Sequence, residues 1–299
     1  MANMYSKIHI DETIRESVSH GNEKYPFAFY LDDIWEFDFH CADWHWHPEL
    51  EFVYAKKGEV TASVGNSKFV LSPGNGVFIN KQVVHRFESS ESTITPNIVF
   101  SPHLLVPKES LIFEKYVQPI LSSSMDYQIF SPDVSWQKEV LDILNTIFEL
   151  QEKEDSCELQ TVQLLLKIWN ILYSNTNTMH IDSSSKTDIQ EQARLQIMLQ
   201  YIHENYQNCI TLENLTQEIS LSKSTVLNIF HKYVQMSPID YAIHYKMKQA
   251  ALLLETTENT VLSIAQTIGF DNVGYFCRKF KEIFKVTPSQ YRKSKIYNI

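Results

Sequence analysis

The sequence predicts an α+β chain in three parts: a small N-terminal β-barrel or jelly roll, a helical segment, and an all-α C-terminal domain with two helix-turn-helix motifs. Three observations lead there. Seven short stretches rich in β-formers, each bounded by turn residues, fall before residue 101. One pattern of apolar residues, turn and hydroxyl-proline pair occurs twice in the last ninety residues, about fifty apart. Charge divides the chain the same way: residues 1–185 carry 13 basic and 26 acidic side chains and residues 186–299 carry 13 and 10, within a 299-residue chain of net charge −10.

The expected strands are Phe27 to Leu31, Glu51 to Ala55, Glu59 to Val64, Lys68 to Leu71, Val77 to Ile79, Val83 to Phe87 and Asn97 to Phe100. Four of the seven glycines, Gly58, Gly65, Gly74 and Gly76, fall in the turns between them. Too few remain for a glycine-rich phosphate loop, which argues against a nucleotide-binding enzyme. Within this region stands His45-Trp46-His47-Pro48-Glu49-Leu50-Glu51, with His85 further on. Side-chain direction repeats every two residues along a strand, so His45 and His47 can line one barrel interior.

That run resembles the first motif of the cupin fold, and the resemblance implies a site on His45, His47, Glu51 and His85. The second motif departs from the pattern: Lys81-Gln82-Val83-Val84 precede His85 without the usual proline and glycine, and Ser89 stands where asparagine is expected. Three histidines and a carboxylate suit a divalent transition metal, a small effector held by hydrogen bonds alone, or a buried structural cluster. The effector pocket is the preferred expectation, with no cofactor. Trp44 or Trp46 would give a sugar ring an apolar face to stack on.

Val134 to Leu150 and Glu158 to Tyr173 read as amphipathic helices whose apolar faces need a partner. The first offers Val140, Leu144, Ile147 and Phe148; the second offers Leu159, Val162, Leu165, Leu166, Trp169 and Leu172. Asn175 to Thr187, with three consecutive serines, reads as a polar linker.

The first copy of the repeat runs from Leu215 to Ile219, through Leu221 to Phe230, to Ser237-Pro238 and Tyr241. The second has Ile264 to Ile268, Gly269-Phe270, Phe280, Thr287-Pro288 and Tyr291. The offset is 49 at Leu215/Ile264 and 50 from Phe230/Phe280 onward, so the second copy carries one extra residue near its turn. Gly269 can take the positive φ of a sharp turn, Ser222 and Asp271 can cap the helices that follow, and each hydroxyl-proline pair opens another helix. Basic residues crowd the C-terminus, Arg278, Lys279, Lys281, Lys285, Arg292, Lys293 and Lys295 standing against Glu282 alone. A polyanion would be drawn to this end and repelled from the other.

Residues from about 190 to 295 resemble the DNA-binding domain of the AraC/XylS family of transcription regulators. The resemblance is carried by Ile264-Ala265, Gly269-Phe270, Tyr275-Phe276, Arg278, Phe280-Lys281, Thr287-Pro288 and Tyr291-Arg292. It implies a long helix, about Ile239 to Leu254, joining two motifs whose recognition helices, about Ser222 to Lys232 and Asn272 to Lys281, enter successive major-groove segments. The DNA-binding residues expected are Ser222, Lys223, Ser224, Thr225 and Asn228 in the first helix and Asn272, Val273, Gly274, Arg278, Lys279 and Lys281 in the second. Arg278 has the chemistry to bond guanine O6 and N7 together, and Asn228 suits an adenine edge. Thr216, Lys246, Lys285 and Gly274 depart from the family pattern, and none removes an apolar core position. The resemblance also implies an effector, often a sugar, in the barrel at Trp44, His45, His47, Glu51 and His85, a homodimer formed by the helical pair, and contact with RNA polymerase.

The expected organisation is residues 1–130 as effector-binding domain, 131–176 as dimerisation segment, 177–188 as linker and 189–299 as DNA-binding domain. The expected function is a DNA-binding activator responding to a carbohydrate, not an enzyme; the alternative is a metal-dependent cupin enzyme fused to a DNA-binding domain. No apolar run is long enough to cross a membrane, Met1 to Glu12 lacks a signal-peptide apolar region, and Cys41, Cys157, Cys209 and Cys277 form no CxxC pair, so a cytoplasmic location is expected.

Overall fold

Nine strands form two antiparallel sheets in a computed structural model that describes residues 8, 10–11, 13–153, 156–176 and 186–296. The strands are β1 (Phe27–Asp33), β2 (Cys41–His45), β3 (Leu50–Tyr54), β4 (Val60–Val64), β5 (Ser67–Leu71), β6 (Gly76–Ile79), β7 (His85–Glu88), β8 (Ile94–Phe100) and β9 (Tyr127–Phe130). One sheet has the order β1-β8-β3-β6-β9 and the other β2-β7-β4-β5. All seven expected strands are present, while β2 and β9 are additions to them. A short helix, α1 (Gln118–Leu121), precedes β9.

Period-two geometry gives β3 two jobs. Leu50 and Phe52 face outward onto a core that includes Val140, Leu144, Ile147 and Phe148 of α2 (Ser135–Lys153) and Leu165, Trp169 and Leu172 of α3 (Glu158–Thr176). Val53 faces inward with Ala62, Val64, Val77, Ile79 and Phe87, between the sheets. Both faces of the strand are thereby buried, so its sequence reads as a nearly continuous apolar run rather than an alternation. The seven apolar residues named here for α2 and α3 cover the five-stranded sheet, whereas Leu159 is 74% and Leu166 37% exposed on the outer side of α3.

The chain divides into two units, Met1–Gln192 and Ala193–Ile299. Residues 177–185 of the expected linker lie outside the described residues, and helix α4 (Lys186–Asn205) already opens at Lys186. Its buried Leu195, Met198, Leu199 and Ile202 recur at helical spacing. The second unit continues with α5 (Leu212–Ile219), α6 (Lys223–Val234), α7 (Pro238–Thr256), α8 (Val261–Thr267), α9 (Val273–Phe284) and α10 (Pro288–Ile296).

Both copies of the repeat are helix-turn-helix units, α5-α6 and α8-α9, joined by α7. Ser222 caps α6, Ser237 followed by Pro238 caps α7, and Thr287 accepts from Gln290 N at the start of α10. The cap of α9 is Asn272 rather than Asp271, its side chain accepting from Tyr275 N at 2.9 Å. The extra residue lies in the turn: Leu221 alone separates Ser220 from the cap Ser222, whereas Phe270 and Asp271 separate Gly269 from Asn272. Among the described residues no helix is long and apolar enough to cross a membrane.

Candidate effector pocket and nucleic-acid interface

Antiparallel pairing of β2 with β7 sets His45 directly opposite His85, and their rings meet at 4.1 Å. His47 follows just beyond the end of β2, its ring 5.1 Å from that of His85. Glu51 enters from β3 in the other sheet, with Oε2 3.1 Å from His85 Nε2 and 3.5 Å from His47 Nε2. All four are buried. The structure therefore brings together the histidines and carboxylate that the sequence singled out.

Backbone carbonyls fix two of the rings. His45 Nδ1 lies 2.6 Å from Asp43 O and His85 Nδ1 2.8 Å from Val83 O, so each Nδ1 carries the proton and each ring turns Nε2 inward. Burial lowers the pKa of His45 to about 3, which keeps it neutral. Burial alone would lower His85 and raise Glu51, but contact with Glu51 holds His85 above its ordinary value, and contacts with His47 and His85 hold Glu51 below its own. Neither Glu51 Oε2 nor His85 Nε2 makes a well-aligned hydrogen bond among the described residues. The potential ligand atoms of His45, His47 and His85 lie within 4.8 Å of one another. This donor set fits a divalent transition metal, whose open positions would take an oxygen ligand.

A second polar layer comes from residues the motif did not include. Glu16 Oε2 is 3.3 Å from His20 Nε2, His20 Nδ1 is 2.8 Å from the Tyr30 hydroxyl, and the His20 ring is 5.4 Å from that of His47. Glu16, His20, Tyr30, Asp32, His45, His47, Glu51 and Asn97 line one cavity, closed on its apolar side by Ile34, Phe37, Val53 and Phe87. The segment bearing Glu16 is tied to the end of the barrel: Trp46 N donates to Ile14 O at 3.1 Å, Glu16 N to Trp46 O at 2.9 Å, and Trp46 Nε1 to Thr13 O at 2.9 Å. The cavity leaves about 40 Å³ for the centres of water molecules, room for roughly three of them.

Trp44 and Trp46 depart from expectation. Trp44 is buried but does not line the cavity, and the Trp46 indole is spent on Thr13 with the Arg15 guanidinium 5.8 Å above its ring. The aromatic rings that do line it are Tyr30, Phe37 and Phe87. His85 lies behind His45 and Glu51 rather than on the wall.

In the second unit, α6 buries Val226, Ile229, Phe230 and Tyr233 and leaves Ser222, Lys223, Ser224 and Asn228 exposed, with Thr225 half-buried. The other recognition helix buries Phe276 and Phe280 and exposes Asn272, Val273, Gly274, Arg278 and Lys281, with Lys279 half-buried. The helix is continuous through Gly274. Two of the lysines are paired, Lys223 with Glu213 and Lys279 with Glu282 at 2.9 Å, while the Arg278 guanidinium lies 5.3 Å from the centre of the Tyr275 ring. Arg292 is not a free basic charge: Nε donates to Leu254 O at 3.2 Å and Nη2 to Asn259 O at 2.6 Å, capping the end of α7.

Residues 215–294 match the family described as "Helix-turn-helix domain" and residues 40–95 the family described as "Cupin domain". The chain is 29% identical to "Uncharacterized HTH-type transcriptional regulator YdeC" of Bacillus subtilis (strain 168), over 95% of this chain and 97% of that protein. It is 25% identical to the "Melibiose operon regulatory protein" of Escherichia coli (strain K12), over 83% of each. The crystal structure of the C-terminal domain of the two-component response regulator yesN from Fusobacterium nucleatum is 35% identical, with a TM-score of 0.32, and the match covers 33% of this chain and 98% of that one. A barrel with a polar interior followed by a duplicated helix-turn-helix reader defines a DNA-binding transcription regulator. In both domains the chain is similar to AraC-type transcription regulators.

Proposed function

We propose that the protein is an effector-responsive activator whose barrel binds a carbohydrate. The observation that carries this reading is the polar cluster in which Glu16, His20, Tyr30, Asp32, His45, His47, Glu51 and Asn97 converge on one cavity against an apolar wall. Hydroxyl groups both donate and accept, and so match a wall that mixes carboxylates, imidazoles, an amide and a phenol. The name of the melibiose regulator supports a sugar. Room for roughly three waters is too little for a pyranose, so a sugar that enters displaces part of the wall, and the segment bearing Glu16 and His20 is the part expected to move. That movement is the change an effector could transmit, by favouring the arrangement of reader domains that spans both half-sites.

In this reading residues 1–130 are the sensor, 131–176 the dimerisation segment and 189–299 the reader, and the protein acts as a homodimer that contacts RNA polymerase. The outer stripe of α3 with Leu159 and Leu166 supports the dimer, since its buried face is already spent on the sheet.

Thermal unfolding of the full chain against a panel of sugars tests the sensor. A sugar at a hundred times its Kd adds about 2.7 kcal/mol, a rise of roughly 5–10 °C for a domain of this size, and the rise should vanish in His47→Ala. No rise with any sugar removes the carbohydrate assignment. A second reading, a resident divalent metal on His45, His47, His85 and Glu51, is favoured by the inward-turned Nε2 atoms. It predicts stoichiometric metal by elemental analysis, lost in Glu51→Gln.

On the DNA side, Ser222, Ser224, Thr225 and Asn228 would address one half-site and Val273, Gly274 and Arg278 the other, with Lys223, Lys279 and Lys281 toward phosphates. Arg278→Ala is expected to reduce discrimination at one base pair by about 1–3 kcal/mol. Equal weakening on every sequence, with a shallower salt dependence, would reassign Arg278 to a phosphate.

A further inference from the structure

We infer that Lys246 positions the second recognition helix, so that base preference in the half-site facing α9 depends on a residue that cannot itself reach DNA. Lys246 lies on α7, the helix joining the two motifs, and is 7% exposed. A lysine is rarely this buried unless its ammonium is engaged. Here Nζ donates to Gly269 O at 3.2 Å and lies 5.1 Å from the centre of the Phe270 ring. Gly269 and Phe270 belong to the turn between α8 and α9. Burial pushes the Lys246 ammonium below its ordinary pKa, against the opposing pull of Cys209 and Asp271.

Contacts continue from that turn to the base-reading position. Phe270 packs at 5.9 Å on Tyr275 and 5.8 Å on Phe276, both in the first turn of α9, and Tyr275 carries the Arg278 guanidinium over its ring. Glycine at 269 lets the turn sit here, because a Cβ would stand 1.8 Å from the backbone oxygen of Gln207 and 3.0 Å from Lys246 Nζ. The first copy has no counterpart. Its turn residue Ser220 is exposed, and the residues 49 and 50 before Lys246 are Ile197 and Gln196. The α6 half should therefore be indifferent to what happens at Lys246.

This inference rests on the base reading proposed above for Arg278 and Asn228. The test is selection by the full-length protein from a randomised duplex library, with folding of each variant checked by circular dichroism. Arg278→Ala and Asn228→Ala mark the base pairs each helix reads. Lys246→Met and Phe270→Leu should flatten the positions marked by Arg278→Ala, from roughly tenfold preference to two- or threefold, and leave the others intact. Lys246→Arg, which keeps a donor and a cation, should retain them. Wild-type preference in Lys246→Met, or in Phe270→Leu if the methionine variant does not fold, overturns the inference, as does equal flattening of both halves. If Arg278→Ala marks no position, the base-reading assignment falls and the inference with it.

Discussion

Phe52→Ala is expected to destabilise the N-terminal unit by about 3–5 kcal/mol, a large share of the roughly 5–15 kcal/mol that holds a domain together. Phe52 is fully buried, stands between Phe78 and Ile98 in the register of the five-stranded sheet, and has the rings of Phe78, Phe100 and Phe130 at 5.0, 6.2 and 6.1 Å. Removing it opens a cavity under α2 and α3 that surrounding rings cannot refill without breaking strand register. Thermal unfolding should show a fall of roughly 6–20 °C. Val70→Ala, at a site 52% exposed on β5, is the control and should change stability by less than about 0.5 kcal/mol. A cost below about 1 kcal/mol for Phe52→Ala would mean that the helical pair does not close this core.

Sequence was most legible where local pattern and tertiary role coincide. The paired motifs could be placed because Leu215, Phe230 and Pro238 and their second-copy equivalents are buried alike, at a spacing that differs by the one residue added in the turn. The histidine cluster could be read because strand alternation puts His45 and His47 on one side. That alternation also turns Trp44 away from His45, so the expectation that it would face a sugar ran against the pattern. A break in register between Ala42 and His45 sets two residues three apart on the cavity wall, and the tryptophan between them is left out of it. β2 itself was hidden because Cys41-Ala42-Asp43-Trp44-His45 has no β-branched residue. Glu16 and His20 sit in a segment with no periodicity, and it is tied to Trp46 and Tyr30 by contacts that no local pattern announces. The C-terminal charge count overstated free cations, since nothing local shows that Arg292 spends its donors on α7.

The two turns give opposite expectations for glycine, and the contrast tests whether the second motif is built against its neighbours. Gly269 and Ser220 occupy equivalent left-handed positions, with φ of 78° and 53°. Ser220 is exposed, so Ser220→Gly removes the steric cost of a side chain in this region, offsets it partly by a looser unfolded chain, and should stabilise by about 0.5–1 kcal/mol or leave stability unchanged. Gly269→Ala faces both penalties at once. The left-handed conformation alone costs about 1–2 kcal/mol for a residue with Cβ, and this Cβ would lie 1.8 Å from Gln207 O, a backbone atom that a rotamer change cannot move. Either the segment between α4 and α5 lifts away or the turn itself shifts, and a shift of the turn withdraws Gly269 O from Lys246. Unfolding of the full chain should show a C-terminal transition lowered by several kcal/mol, and DNA affinity should fall further than in Arg278→Ala, because the whole of α9 loses its seat rather than one contact. If Gly269→Ala cost no more than the left-handed strain, the Gln207 segment would be yielding freely, and the second reader would be held by α7 and α10 alone.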